Sequence, residues 1–108
     1  MALGSPGATR IILAVAQVIM NTIDFGMSMD EAIEAPRLFN NISGNEAAKL
    51  MIEAGVAQST LDALAKRGHD LDPRPKGLYF GGAQGIMRKD GELVGGADSR
   101  RNGVAVGY

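Results

Sequence analysis

The sequence contains no cysteine, and this absence excludes disulfide bonds, thiolate metal sites and a cysteine nucleophile. Tryptophan is also missing, and aromatic residues make up only 5% of the 108 residues. No excess of positive charge is present, because 11 Lys and Arg face 12 Asp and Glu, for a net charge of −1. Since binding to nucleic acid or to an acidic membrane surface needs clustered positive charge, we expect neither kind of partner.

Long hydrophobic runs are absent as well. The apolar stretch over residues 11–20 is interrupted by Gln17 and has about half of the ~20 residues that a membrane-spanning helix needs. Residues 1–7 carry no basic segment ahead of an apolar core, so we expect no signal peptide. The sequence therefore predicts neither a membrane span nor a targeting signal, and it indicates no compartment.

Apolar side chains occupy most positions of residues 9–25. The polar exceptions recur at helical spacing on one narrow stripe: Arg10, Gln17, Asn21 and Asp24. This pattern predicts a long helix that is apolar on most sides and ends near Gly26. Such a helix is buried on more than one side, which a chain of 108 residues can hardly supply alone.

A second, short helix is predicted after Ser28, which forms a capping box with Glu31. Pro36 ends this helix at or before the preceding residue. Residues 37–42 then read as an extended segment, whereas residues 45–54 are ambiguous between helix and strand.

A third helix is predicted to begin with Ser59 as its capping residue, paired with Asp62, and to end at Gly68. Further along, Asp90 and Gly91 lie between two strand-like segments, which indicates a β-hairpin. Residues 104–106 (Val-Ala-Val) predict a last strand. Because helices come first and strands follow, the fold class indicated is α+β.

Residues 4–9 lie directly before the predicted long helix and contain a candidate site. Ser5 as N-cap and Pro6 as first helical residue are ordinary chemistry for the start of a helix. The same arrangement leaves the backbone N–H groups of Gly7 and Ala8 at the positive end of the helix dipole, where they could stabilise an oxyanion or bind a carboxylate. The residues alone leave both interpretations open.

Three other segments carry residue types that occur in binding sites. We interpret the glycines of residues 81–85 as close strand packing or a turn, because no Gly-Lys-Ser/Thr follows them. Residues 69–72 (His-Asp-Leu-Asp) alternate across a strand, so their side chains do not converge and no metal site is expected. Arg100 and Arg101 are interpreted as a solvated turn rather than an anion-binding pair.

The order of several short segments resembles the gamma-glutamyltranspeptidase family. The matching segments are residues 3–7 (LGSPG), 10–12 (RII), 17–21 (QVIMN), 23–27 (IDFGM), 31–33 (EAI), 35–37 (APR), 64–69, 91–103 (GELVGGADSRRNG) and 105–108. They are collinear and cover nearly the whole chain. No single segment is decisive, but the series is specific.

This resemblance implies a fold and a chemistry. Family members are N-terminal-nucleophile hydrolases with a four-layer α/β/β/α fold, of which this chain would form a portion. A precursor cleaves itself, and the new N-terminal Thr attacks a γ-glutamyl amide such as glutathione to give an acyl-enzyme; no cofactor is expected. Two backbone N–H groups of the family's loop hold the oxyanion. Those positions are Gly7 and Ala8 here, with Ser5 and Pro6 positioning the loop.

The resemblance also bears on three individual positions. It favours a strand from about Lys49, where helix propensity competes. Ala8 replaces the family's usual second glycine, and would cost about 1 kcal/mol or narrow the pocket if that position needs a positive φ. Ser99 replaces a usual proline, which we interpret as a turn variation.

The family's nucleophilic Thr and the residues that bind the glutamyl amine and carboxylate have no counterpart in this sequence, since Thr9 is internal and follows the loop. We therefore expect residues 1–108 to form a single domain, a C-terminal fragment of the small subunit. Its partners would be the large subunit, the N-terminal part of the small subunit and a γ-glutamyl substrate. Alone, the chain should be inactive and form homo-oligomers. The family allows a periplasmic or extracellular location.

Two alternatives stay open. The chain could be a stand-alone, non-catalytic domain that binds another polypeptide through its apolar faces. It could also be part of a related acylase or amidohydrolase, because the residues that select the γ-glutamyl group are not in this sequence. An open reading frame that extends upstream to a Thr-rich processing site would favour an enzyme over the binding domain.

Overall fold

The computed structural model of the protein describes residues 1–40 and 49–108. Three α-helices are present in these ranges: α1 (Arg10–Ile23), α2 (Met29–Glu34) and α3 (Gln58–Lys66). Six strands accompany them: β1 (Ala2–Gly4), β2 (Leu38–Asn40), β3 (Leu50–Glu53), β4 (Leu71–Arg74), β5 (Gln84–Lys89) and β6 (Glu92–Ala97). Short 3₁₀ turns cover Leu78–Phe80 and Ser99–Arg101.

The strands of the described ranges form two sheets. The first sheet is antiparallel with the order β1-β5-β6, and the second has the order β2-β3-β4. In the second sheet β2 and β3 are antiparallel, whereas β3 and β4 are parallel and α3 lies between them in the chain. The α+β class predicted from the sequence is confirmed.

The core lies between the first two helices and the first sheet. Its buried cluster consists of Val18, Met29, Ala32, Ile33 and Ala83. Helix α1 buries one stripe, whose members lie four residues apart on one face: Ala14, Val18 and Thr22. Its other side stays open, with Ile12 75% and Ile23 69% exposed. None of the helices in the described ranges is long and apolar enough to cross a membrane.

Several predictions from local sequence are confirmed. Helix α1 occupies the long apolar segment, and Ser28 and Glu31 form the capping box of α2, with the Glu31 N–H donating to Ser28 Oγ at 3.2 Å. The strand expected from about Lys49 is β3. The β5–β6 hairpin turns at Asp90 and Gly91, whose φ angles are +51° and +86°. These positive values are those that a two-residue hairpin turn requires.

Other predictions are wrong. Helix α1 begins at Arg10 after Thr9, so Ser5 does not cap it and Pro6 is not its first residue. Helix α3 begins at Gln58, which places Ser59 inside its first turn rather than at its cap. Residues 104–106 form no strand, because no strand edge of the described ranges pairs with them. Residues 41–42 and 45–48 of the predicted segments lie outside the described residues.

Candidate functional site

The loop between β1 and α1 is held in an unusual backbone conformation. Gly7 has a φ of +129°, and Ala8 has a φ of +50° although it carries a Cβ. The carbonyls of these two residues accept hydrogen bonds from the first turn of α1, from the N–H of Arg10 at 2.9 Å and from that of Ile11 at 3.1 Å. Within residues 1–40 and 49–108, the N–H groups of Gly7 and Ala8 donate to no protein acceptor.

This backbone geometry suits an anion. Ala8 with its positive φ is followed by Thr9 at φ −60° and ψ −20°, in the right-handed region. An alternation of left-handed and right-handed residues turns successive N–H groups toward one point, which forms an anion-binding concavity. The loop also lies at the N-terminal end of α1, where the helix dipole is positive. The arrangement can therefore bind a carboxylate or stabilise an oxyanion.

Ser5 connects this loop to a second segment rather than capping the helix. Its Oγ donates to the Pro6 carbonyl at 2.9 Å and accepts the N–H of Gly82 at 3.2 Å. The neighbouring Gly81 has a φ of +85°, and a Cβ at that residue would lie 2.8 Å from Ser5 Oγ. Glycine is thus required there by both conformation and space. The interpretation of this glycine run as close packing agrees with these contacts.

A pocket of about 420 Å³ adjoins the loop. Its lining residues are Gly7, Ala8, Arg10, Leu78, Tyr79 and Arg101. The side chain of Arg101 passes over Gly82, where an added Cβ would lie 2.5 Å from Arg101 Cδ. The two residues with free N–H groups and two arginines therefore line one concave surface.

Arg10 is anchored by aromatic rings. Its guanidinium lies 4.8 Å from the centroid of the Phe39 ring and 4.7 Å from that of Tyr79, and Arg74 lies 4.8 Å from the same Tyr79 ring. Cation–π contacts at such distances contribute about 0.5–1 kcal/mol each at exposed sites. Arg10 Nε is buried and has no hydrogen-bond partner in the described part of the chain. Packing therefore positions this positive charge beside the loop.

Four buried charged side chains form a network behind the loop: Arg37, Glu53, Asp98 and Arg100. Arg37 Nη1 lies 2.7 Å from Asp98 Oδ2, and Arg100 Nη1 lies 3.1 Å from Asp98 Oδ1. Arg100 also contacts Glu53, through Nη2 and through Nε, the latter at 2.6 Å. Two positive and two negative charges balance one another, as burial away from water requires.

The same side chains hold backbone segments together. Arg37 donates to the Ile33 carbonyl at 2.8 Å and to the Phe80 carbonyl at 3.0 Å. Asp98 accepts the N–H of Ala83 at 2.7 Å. The network thereby connects the end of α2 to the segment between Phe80 and Ala83. That segment contains the glycines against which the loop packs. The network therefore holds in place the backbone on which the candidate site rests.

Burial and neighbouring charges shift the pKa values in this network. Burial acts to raise the pKa of Asp98, but hydrogen bonds from the N–H groups of Arg100 and Ala83, together with the arginine charges, lower it overall. Burial lowers the pKa of Arg37, and the charge of Arg100 lowers it further. Burial acts in the same direction on Arg100, but its contacts with Glu53 and Asp98 raise its pKa overall. The contacts within the network thus favour the charged forms of Asp98 and Arg100.

The structure separates the two arginines that the sequence places side by side. The interpretation as a solvated turn is wrong for Arg100, which is 7% exposed and belongs to the network, whereas Arg101 is exposed and lines the pocket. The sequence contained one indication of this buried network. Glu53 ends an apolar strand, and a charge buried there needs a partner of opposite charge. His69 and Asp70 are exposed, and residues 1–40 and 49–108 contain no cluster of three metal-binding side chains.

The fold defines an α+β domain, and the loop before its first long helix is a candidate anion-binding site. A family model described as gamma-glutamyltranspeptidase matches residues 1–108. The chain belongs to the gamma-glutamyltranspeptidase family, as the resemblance in the sequence indicated.

Individual relatives agree with this assignment. The chain is 40% identical to the acylase ACY 1 proenzyme of Pseudomonas sp. (strain V22), over 97% of this chain and 18% of that protein. It is 35% identical to glutathione hydrolase proenzyme 1 of Schizosaccharomyces pombe (strain 972 / ATCC 24843), over 100% of this chain and 17% of that protein. The solved structure of cephalosporin acylase from Bacillus halodurans superposes with a TM-score of 0.84 at 29% identity, over 98% of this chain and 19% of that one. The chain spans about one fifth of the length of these relatives.

Proposed function

We propose that this chain is the C-terminal part of the small subunit of an enzyme that transfers or hydrolyses γ-glutamyl groups from amides such as glutathione. The nucleophile, an N-terminal Thr, would come from a segment outside this chain. The rest of the small subunit and the large subunit would be its partners. Membership of the gamma-glutamyltranspeptidase family supports this assignment, and so does the small share of each relative's length that the chain covers.

One observation carries the proposed role of the chain within that enzyme. The N–H groups of Gly7 and Ala8 have no protein acceptor in the described ranges, and they lie at the start of α1 beside a pocket. When a Thr oxygen attacks an amide carbonyl, the carbonyl oxygen gains negative charge. Donors fixed in advance around that oxygen stabilise the tetrahedral intermediate without reorganisation, and one such donor contributes about 10²- to 10³-fold in kcat.

The open side of α1 supports the proposed partners. Ile12 and Ile23 are largely exposed on that helix, and Phe25 beyond its end is 72% exposed. Apolar side chains concentrated on one exposed surface mark an interaction site in soluble proteins. In the complete enzyme, the remaining layers of the sandwich would cover them.

A related acylase is the second candidate, and Ala8 is the observation that favours it. The Cβ of Ala8 lies beside the proposed donors, at a position where the family usually has glycine, and the chain is 40% identical to an acylase proenzyme. The extra methyl group would narrow the space next to a carbonyl oxygen held by these donors. It would thereby change which acyl groups fit.

An assay with two matched substrates tests both candidates. γ-Glutamyl-p-nitroanilide and glutaryl-p-nitroanilide differ only in the α-amino group. We expect the purified 108-residue chain to cleave neither, and the product of an extended reading frame that includes the nucleophile to cleave the γ-glutamyl compound faster. Faster cleavage of the glutaryl compound would favour the acylase. Turnover by the 108-residue chain free of host enzymes, or no cleavage by the extended product, would contradict the proposal.

A further inference from the structure

The turn after β6 contains a pair of residues that is chemically reactive by itself. Asn102 and Gly103 form the one Asn–Gly pair in the sequence, and Asn102 is exposed. The backbone nitrogen of a glycine in this position can attack the asparagine side chain, because glycine has no side chain to block the approach. We propose that Asn102 is a site of spontaneous deamidation, and that the reaction requires opening of the turn between Asp98 and Gly103. This inference is independent of the proposed function, since the reaction needs only water.

The fold itself favours this pair of residues. Asn102 follows the 3₁₀ turn of Ser99–Arg101 with a φ of +54° and a ψ of +33°, in the left-handed region. Asparagine tolerates this region better than most residues that have a side chain. A Cβ at Gly103 would lie 2.7 Å from Gln84 Nε2 and 3.0 Å from the backbone nitrogen and oxygen of Asp98. Backbone conformation therefore favours asparagine at the first position, and space requires glycine at the second.

The reaction consumes water and releases ammonia. The Gly103 N–H loses its proton to water, and the nitrogen forms a bond to Asn102 Cγ. The bond between Cγ and the side-chain amide nitrogen then breaks, and that nitrogen takes up a proton and leaves as ammonia. Water opens the resulting cyclic imide at either of its carbonyls. The products contain aspartate or isoaspartate at this position, and each has one more negative charge than the original chain.

The closed turn prevents this attack in two ways. The N–H of Gly103 donates to the Asp98 carbonyl at 2.9 Å, so its proton is not available to water. At a ψ of +33° for Asn102, the Gly103 nitrogen also points away from the asparagine side chain, on the opposite side of the Cα–C bond from Cβ. Both obstacles disappear only when the hydrogen bond breaks and the backbone rotates. Opening of the turn must therefore precede the reaction.

Asp98 determines how easily the turn opens. Its carbonyl also accepts the N–H of Arg101 at 3.3 Å, and its carboxylate accepts the N–H of Arg100 at 2.9 Å. The carboxylate is buried and pairs with Arg37 and Arg100. Opening therefore breaks several hydrogen bonds at once. A reaction that depends on such a rare local opening is slowed in proportion to it.

Mass spectrometry of the purified 108-residue chain measures the reaction. The chain is kept at neutral pH, either folded or unfolded in urea, and its pepsin fragments are then analysed at acid pH. We expect conversion of Asn102 in both samples, about ten- to a hundredfold faster in the unfolded chain, because opening of the turn breaks several hydrogen bonds. Equal rates in the two samples would overturn the requirement for opening. Conversion in the unfolded chain alone would overturn the assignment of a site in the folded protein.

Two controls isolate the Asn–Gly pair. Asn21 is followed by the β-branched Thr22, and its Nδ2 donates to the Ala32 carbonyl at 3.2 Å, so it should stay unmodified in the folded chain. Asn102→Gly keeps a residue suited to the positive φ and removes the reactive amide, so the conversion should be absent. Equal conversion of Asn21 and Asn102 in the folded chain would overturn the inference.

Hydrogen exchange of the Gly103 N–H measures the opening separately. Exchange of this proton with solvent needs the same opening of the turn, and NMR gives the factor by which the fold slows the exchange. We expect this factor to agree, within about threefold, with the ratio of the two deamidation rates. A larger disagreement would overturn the proposal that this opening controls the reaction.

A pair of variants tests the role of Asp98 in the opening. Asp98→Asn weakens the buried contacts of the turn and leaves the Asn–Gly pair intact, so deamidation of the variant should be faster and exchange of the Gly103 N–H less slowed. Asp72→Asn removes the exposed ion pair with Arg74 and should change neither rate. An unchanged deamidation rate in Asp98→Asn, or an equal increase in both variants, would overturn this role.

Discussion

The guanidinium of Arg37 lies 2.7 Å from the carboxylate of Asp98, and the two side chains are 2% and 0% exposed. Arg37 follows α2, whereas Asp98 follows β6 near the end of the chain. Both also hold the segment from Phe80 to Ala83, through the hydrogen bonds to its carbonyl and N–H groups. The candidate loop packs against that segment, so this ion pair connects the stability of the fold to the geometry of the site.

Breaking this pair should be costly. Asp98→Asn keeps the size of the side chain but leaves two buried arginines with one fewer negative charge. We expect the free energy of unfolding, measured with urea, to fall by about 3–5 kcal/mol. The matched control is Asp72→Asn, which breaks the solvent-exposed pair with Arg74 and should cost much less, because water screens that pair. Equal losses in the two variants would contradict this account.

Stability should fall in acid because of Glu34 and Asp98. Burial acts to raise the pKa of Glu34, but hydrogen bonds from Lys76 and Ser99 lower it from 4.5 to about 2. The pKa of Asp98 is lowered as well. Since the unfolded chain binds these protons at higher pH than the folded one, the stabilisation is complete above about pH 5 and is lost as the pH falls toward about 2.

Glu34→Gln isolates one part of this acid dependence. The unmodified protein loses unfolding free energy between about pH 5 and pH 2, and we expect this loss to be smaller in the variant by only about 1 kcal/mol. The difference is small because Glu34 is partly exposed and its charge is screened by solvent. Urea unfolding of both proteins across this range measures the difference. Identical pH profiles for the two proteins would show that Glu34 is not stabilised as the contacts indicate.

Relief of backbone strain at Ala8 should stabilise the fold. The φ of +50° is unfavourable for alanine and easily adopted by glycine. We expect Ala8→Gly to raise the free energy of unfolding by about 0.5–1 kcal/mol. This net gain already includes the opposing effect of glycine, which increases the entropy of the unfolded chain. Ala63→Gly, on the exposed surface of α3, should have the opposite sign and cost about 1 kcal/mol. A loss of stability in both variants would mean that Ala8 is not strained.

The exposed side of α1 should make the isolated chain self-associate. Ile12 and Ile23 are eleven residues apart and therefore lie on the same face of the helix. We expect sedimentation velocity to show a dimer or larger species for the unmodified chain, and a monomer for Ile12→Gln combined with Ile23→Gln.

Leu93→Gln serves as the control for this experiment, because Leu93 is 66% exposed on β6 rather than on α1. It should leave the association unchanged. A compact monomer for the unmodified chain would contradict the prediction. If only the Leu93 variant were monomeric, the association contact would lie on the sheet instead of α1.

Local signals in the sequence predicted the elements whose causes are local. The capping box of Ser28 and Glu31 and the turn at Asp90 and Gly91 each involve residues close in the chain, so their spacing was sufficient. The strand β3 needed the family resemblance, because its flanking residues favour helix. The resemblance also indicated that Ala8 would be strained if its φ were positive, and that angle is positive in the structure.

The features that the sequence did not predict depend on contacts between residues that are far apart in the chain. Nothing in the residues around Arg100 shows that it pairs with Glu53, or that its neighbour Arg101 lies over Gly82 instead. The role of Ser5 could not be predicted for the same reason. Its neighbours in the sequence are typical of a helix cap, but its hydroxyl oxygen accepts a hydrogen bond from the distant Gly82 N–H. Burial of a charge follows from the tertiary partner, which spacing alone does not specify.

The central claim is that the Ala8 N–H stabilises an oxyanion, and replacing that group by an ester oxygen tests it most directly. Lactic acid in place of Ala8 in the complete enzyme removes the donor and keeps the methyl group. Lactic acid at Ala105, an exposed position near the end of the chain, controls for the ester itself. We predict that kcat for γ-glutamyl-p-nitroanilide falls about 10²- to 10³-fold at Ala8, with KM nearly unchanged, and stays constant at Ala105. Equal kcat values for the two esters would contradict the account.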